Sequence, residues 1–179
     1  MVYNAFIRVL QAFANPLVYT TGLLAPTLLP RVRQNELLRW SFSGRGGVLL
    51  VWHAILAVRP GSLKFHVPVP RPQHYVQTIC QTLVYIYWGW YWPPVYDFVP
   101  LLIAQLLFAY AFDLLLAWSR KQDYALGFGP FPIVWSTNLF LWFKDDWFLL
   151  QFAVIAVGML GKAFVRWERD GRKVHIFNP

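Results

Sequence analysis

His74, Gln77, Gln81, Tyr85 and Trp88 recur at three- and four-residue steps in a stretch that is otherwise apolar, which puts them on one face of a helix. Such a stripe either faces a ligand cavity or hydrogen-bonds to a neighbouring helix. A second stripe, Gln105, Ala109, Asp113 and Ala117, repeats every four residues and carries a carboxylate in apolar surroundings, a setting in which ionisation is costly and function is the usual reason for it. Gln77, Gln81, Tyr85, Gln105 and Asp113 are therefore the groups that could orient a flavin or quinone ring in an apolar pocket. For Asp113 a plainer role is open, pairing with Arg120 or Lys121 at the end of the same helix. A transporter would need Asp113 paired with a cation inside the molecule instead.

Other chemistries have no foothold in the sequence. His53, His66, His74 and His175 lack the spacing of metal or haem ligands. The lone Cys80 can form neither an internal disulfide nor a thiolate cluster. Ser41 and Ser43 have no His and Asp companions, and Gly44 to Gly47 is not followed by the Lys-Ser/Thr of a phosphate loop. Neither a catalytic residue nor a metal site is expected. The formal charge of +8 does not point to nucleic acid, because the basic residues sit in the joints between apolar stretches, where membrane topology accounts for them.

The stripes must be carried by helices in lipid. The chain is 58% hydrophobic and 13% charged, about half the charged share of an average soluble protein. Spans are expected at 74–92, 95–118, 128–143 and 147–165, given that about 20 apolar residues cross the hydrocarbon core. The third is short and its start is crowded by Gly127, Gly129, Pro130 and Pro132, so it is either a short crossing or a re-entrant element. Gln151, Gly158 and Gly161 in the last span suit close helix packing. Trp40, Trp88, Trp90, Trp92, Trp118, Trp142, Trp147 and Trp167 fall mostly at span ends, as headgroup-level anchors do.

Residues 1–73 form a membrane-associated N-terminal region ahead of a transmembrane domain at 74–179. Within it, 9–30 is either a kinked crossing broken at Pro16, Gly22 and Pro26, or an amphipathic stretch followed by an interfacial hairpin. Residues 46–58 are too few to span and are expected to lie on the cytoplasmic face; 60–72 should be a proline-rich extended linker. Arg31, Arg33, Arg39, Arg45, Arg59, Lys64 and Arg71 then share the cytoplasmic side with Arg120, Lys121 and the closing basic run. The fold class expected is all-α, a polytopic bundle of four to five transmembrane helices with interfacial N-terminal segments.

From about Asp123 onward the sequence resembles a known family. The resemblance rests on Tyr124-Ala125-Leu126-Gly127-Phe128-Gly129-Pro130-Phe131-Pro132, on Ser136-Thr137-Asn138-Leu139-Phe140-Leu141-Trp142-Phe143-Lys144-Asp145-Asp146-Trp147, and on the closing His175-Ile176-Phe177-Asn178-Pro179. These are similar to bacterial membrane proteins grouped with RnfD of the Rnf complex and NqrB of the sodium-pumping NADH:quinone oxidoreductase, most of all the UnbU-like branch. The resemblance implies a multi-pass inner-membrane protein of electron-transport ancestry whose relatives continue past the Asn-Pro signature, so a longer protein is expected. It implies no covalent flavin here, since the Ser-Gly-Ala-Thr type attachment motif is absent and Thr137 in Ser-Thr-Asn does not replace it. The expected function is a subunit or scaffold of a membrane complex, with other membrane proteins and lipids as partners. A redox subunit holding flavin or quinone noncovalently is the alternative.

Overall fold

A computed structural model of the chain describes residues 2–59, 61–68, 72–141, 147–169 and 172–175, and only the backbone of 2–4, 167, 169 and 172–175. The expected all-α class holds, since most of the chain is helical. The N-terminal region forms α1 (Val2–Phe13), α2 (Pro16–Leu24), α3 (Pro30–Gln34), α4 (Glu36–Arg39) and α5 (Arg45–Ala57). The later helices are α6 (Pro72–Tyr91), α7 (Val99–Ser119), α8 (Pro130–Leu141) and α9 (Phe148–Phe164). Short pairings add β1 (Phe65–His66) parallel to β2 (Tyr124–Ala125), and β3 (Arg166–Arg169) antiparallel to β4 (Arg172–His175).

Prolines set the helix starts. The Asn15 side chain accepts the Leu17 N–H at 2.9 Å and Pro16 opens α2, so the helical path of 9–30 breaks at this pair. Gly22, expected as a further break, stays inside α2, where a Cβ would meet the Leu107 side chain at 3.4 Å. Pro26 falls in a 3-10 turn, Ala25–Leu28, and Pro30 opens α3. Pro93 and Pro94 open another 3-10 turn, Pro93–Phe98, so the first residues expected in the second span are not α-helical. α7 ends where Lys121 takes φ 54° and the Gln122 N–H closes back on the Ala117 carbonyl at 3.0 Å. Pro130 opens α8, and Trp142 and Phe143 of the expected third span lie outside the described residues.

α7 is the central post, packed by α2, α5, α8 and α9. Contacts along it fix each helix direction. The Tyr19 ring stacks on Tyr110 at 5.1 Å while Gly22 faces Leu107, so α2 runs antiparallel to α7. Phe98 meets Phe148 and Arg120 reaches the Ala163 carbonyl, so α9 runs parallel to it. Tyr75 meets Phe128 and Tyr85 reaches Trp135, so α6 and α8 run parallel to each other, and Asn138 beside Gln105 makes both antiparallel to α7. The bundle therefore has a proline end, with Pro93–Phe98 and the start of α9, and a basic end, with Arg120, Lys121, β1, β2 and the exit of α9.

The segment 46–58 differs from the expectation. α5 does not lie apart from the bundle but packs along α2 and α7, burying Leu49 and Leu56. Its Trp52 indole donates to Ser119 Oγ at 2.9 Å, whereas Arg45 donates to the Leu149 carbonyl at 3.1 Å with its guanidinium over the Phe152 ring. What makes this possible is continuity: α4, a π-helical turn (Trp40–Gly44) and α5 follow one another without a break, which gives 13 residues of α5 a running start. The basic residues of 31–71 are accordingly divided. Arg59 and Lys64 follow α5 to the basic end, whereas α2 and α5 carry the turn holding Arg31, Arg33 and Arg39 toward the other. Of the expected linker 60–72, residues 61–68 are described and are tied to the chain by Tyr124 N–H to the Lys64 carbonyl at 2.9 Å, Pro72 opens α6, and 60 and 69–71 lie outside the described residues.

Among the described residues one segment, Pro93–Ser119, is long and apolar enough by length and composition to cross a membrane, with mean hydropathy 2.0 over its best window. Phe148–Phe164 is a shorter apolar helix.

Candidate functional site

The five candidate residues do not converge. Gln105, fully buried, sits at the crossing of three helices: its amide donates to Gln151 Oε1 at 2.7 Å, and its carbonyl oxygen accepts from Asn138 Nδ2. Asn138 also donates to the Val134 carbonyl at 2.8 Å and Gln151 to the Leu141 carbonyl at 3.1 Å. α7, α8 and α9 are thus tied by amide groups that have little left to offer a ligand.

On α6, the Gln81 amide donates to Ser136 Oγ at 3.0 Å and the Tyr85 hydroxyl to the Trp135 carbonyl at 2.6 Å. The Trp135 indole donates back to Thr82 Oγ1 at 3.0 Å, closing a polar seam between α6 and α8. Tyr85 also lines an apolar cavity of about 240 Å³ with Val95, Leu102 and Leu106. Outward, the same helix shows Val76, Ile79, Leu83, Ile86, Tyr87 and Trp90, all exposed.

Asp113 pairs with neither Arg120 nor Lys121. Its Oδ2 lies 3.1 Å from the Lys162 ammonium, with side-chain exposures of 12% and 29%. Arg120 turns instead to α9, donating to the Ala163 carbonyl at 3.0 Å with its guanidinium 4.7 Å above the Phe164 ring. It caps the carbonyl end of that helix, where a cation is favoured. Tyr124, from the loop after α7, is buried beside Asp113, and burial with that nearby carboxylate pushes its phenol well above the ordinary tyrosine range.

Gln77 alone of the five lines a cavity of about 380 Å³ in the gap between α6 and α9 over α8. His74, Gln77, Ser136, Thr137 and Lys162 give it polar groups; Pro132, Ile133 and Val154 give it an apolar wall. Two glycines shape it. A Cβ at Gly129 would come 2.6 Å from the Lys162 ammonium, and one at Gly158 would come 3.1 Å from Ile133 Cγ2. A smaller cavity of about 160 Å³ lies across Lys162, lined by Asp113, Asp123, Arg120 and Arg166.

Sequence reasoning does not single out Lys162, Ser136 or Asn138. Lys162 reads there as the first member of the closing basic run; its position one turn after Gly158 on an apolar helix is the available signal. His74 stands out in the sequence only as part of a stripe. The chain matches no protein-family model, and neither a curated protein nor a solved structure is similar enough to it to count as a match.

Proposed function

We propose that the chain is a multi-pass subunit of the bacterial inner membrane, a helical scaffold whose surface meets lipid and neighbouring membrane proteins. The observation that carries this reading is the inverted distribution of polarity. Thr20, Ser41, Gln105, Asn138 and Gln151 are buried and hydrogen-bond to other helices or to their own backbone, while Leu50, Val51, Ile79, Leu83, Ile86 and Val157 face outward. Apolar side chains on this scale would be a liability in water and are the ordinary surface of a protein in lipid. The polar groups inside then act as interhelical ties.

In this reading six legs cross in alternation: α1 to α2, α4 to α5, α6, α7, α8 and α9, two more than the number expected after residue 73 alone. The shorter legs, α2 and α8, are flanked by longer neighbours that shield their ends. The basic end is cytoplasmic, since it gathers Arg59, Lys64, Arg120, Lys121, Lys162 and Arg166 against Arg31, Arg33, Arg39 and Arg45 at the other. The likeness of 123–179 to the Rnf and Nqr proteins supports an electron-transport setting. A redox role for this chain itself has less behind it, because Tyr85, Gln105 and Asp113 are committed to protein partners, and Gln81 gives its amide to Ser136 while its Oε1 stays buried without a partner among the described residues.

Alkaline carbonate washing of membranes from expressing cells tests the scaffold reading: the chain is expected to stay in the pellet, and release into the wash would refute it. Orientation is read by protease on vesicles. The β3–β4 hairpin should be clipped only when the cytoplasmic face is outward.

A further inference from the structure

Lys162 is shared by two cavities, and the charges around it do not balance. On the smaller side lie Arg120 and Arg166 with Asp113 and Asp123, so with Lys162 three cations meet two carboxylates. On the larger side no carboxylate lines the wall; His74 and Gln77 lie near the level of Lys162, and Ser136 and Thr137 stand about two helical turns deeper, all able to donate a hydrogen bond. Asp113 meets the Lys162 ammonium from the smaller side, and on the larger side that ammonium faces hydrogen-bond donors and no anion among the lining residues. Gly129 is what lets the ammonium be there, since any side chain at that position would occupy its path.

The cavity also has a direction. His74 lies in the first turn of α6 and Lys162 in the last turn of α9, both at the basic end. From there Ile133 and Val154 continue the wall inward, Val154 standing eight residues, about 12 Å, above Lys162 on α9. Gln77 and Val154 are exposed, so the gap opens sideways between α6 and α9. A cationic mouth at the boundary opens on a channel walled by Ile133 and Val154, with the Ser136 and Thr137 hydroxyls near its inner end.

We propose that this cavity binds a single-chain amphiphile with an anionic oxygen head group, the head held by Lys162, His74 and Gln77 and the chain laid along Ile133 and Val154. The size agrees, since about 380 Å³ falls in the range of small-molecule sites. The inference rests on the membrane reading above, but its test does not. A carboxylate and a phosphate monoester present the same chemistry to these donors, and the two sources are separated by probe.

The test uses the full chain purified and delipidated in mild detergent, with labelled palmitate, palmitoyl lysophosphatidate and hexadecanol as probes. Saturable binding of one or both acids is expected, with hexadecanol at least tenfold weaker; the tighter acid identifies the head group. Gly158→Leu, which fills the cavity, and Lys162→Gln, which removes the cation, should each weaken the acid at least tenfold, and Lys162→Arg should restore most of it. Gly47→Leu, at a site with nothing within 4 Å of a new Cβ, is the control and should bind as the parent does. Should Gly158→Leu fail to fold, Val154→Trp narrows the same channel from its exposed side. Equal binding of hexadecanol, no saturable site in the folded parent, undiminished binding in the filled variants, or displacement by decyl-benzoquinone but not by the acids would each overturn the proposal.

Discussion

Gln105 holds two other amides in place, so replacing it removes more than one side chain's worth of bonding. Gln105→Leu leaves Asn138 and Gln151 each short of a hydrogen bond in the buried centre of the bundle. A loss of about 1 to 2 kcal/mol is expected, read as a lower midpoint in detergent unfolding; an unchanged midpoint would mean the three-helix tie carries no weight. For the Asp113 and Lys162 pair, both side chains keep some exposure, so the coupling in a double-mutant cycle of Asp113→Asn with Lys162→Gln should be about 1 kcal/mol. A coupling near zero would mean that the 3.1 Å contact is geometry without energy. Sequence spacing picks out Gln105 and Asp113 because polar groups in apolar helices must find something to bond. It does not say what they find. Lys162 comes from a helix some fifty positions away, and only the crossing of α7 and α9 brings it past Arg120 as the nearer cation.

At the level of elements, helix starts are legible in the sequence and helix positions are not. Proline chemistry places the beginnings of α2, α8 and the turn before α7, because a ring that cannot donate a hydrogen bond belongs in a first turn. The location of α5 escapes the sequence for a different reason: taken by itself, 46–58 is too short to cross, and the π-helical turn that joins it to α4 leaves no mark in hydrophobic periodicity. The α2 and α5 contact hinges on Gly46, where a Cβ would meet Leu24 Cδ2 at 2.7 Å and Cγ at 2.9 Å. Gly46→Val should cost about 1 to 3 kcal/mol, whereas Gly47→Val one position on, with open space around it, should change stability by less than about 0.5 kcal/mol. Comparison of the two melting curves checks this directly, and equal curves would mean α5 does not pack against α2 at Gly46.

For the whole molecule, composition speaks for the proposed lipid surroundings and says little about the arrangement within them. A chain with 13% charged residues cannot cover itself in polar groups, and this much is plain from counting. Which face of α6 turns outward depends on its neighbours: Gln81 and Tyr85 go to α8, and the side left over carries Ile79, Leu83 and Ile86. Cys80 sits beside Ile79 on that outer side, exposed, and it is the single cysteine in the chain. A nitroxide attached there, with the protein in lipid vesicles, samples whatever surrounds α6. If lipid does, dissolved oxygen will relax the label far more than a water-soluble nickel chelate. If the chelate reaches the label as readily as it does one free in buffer, water surrounds α6 and the membrane account fails.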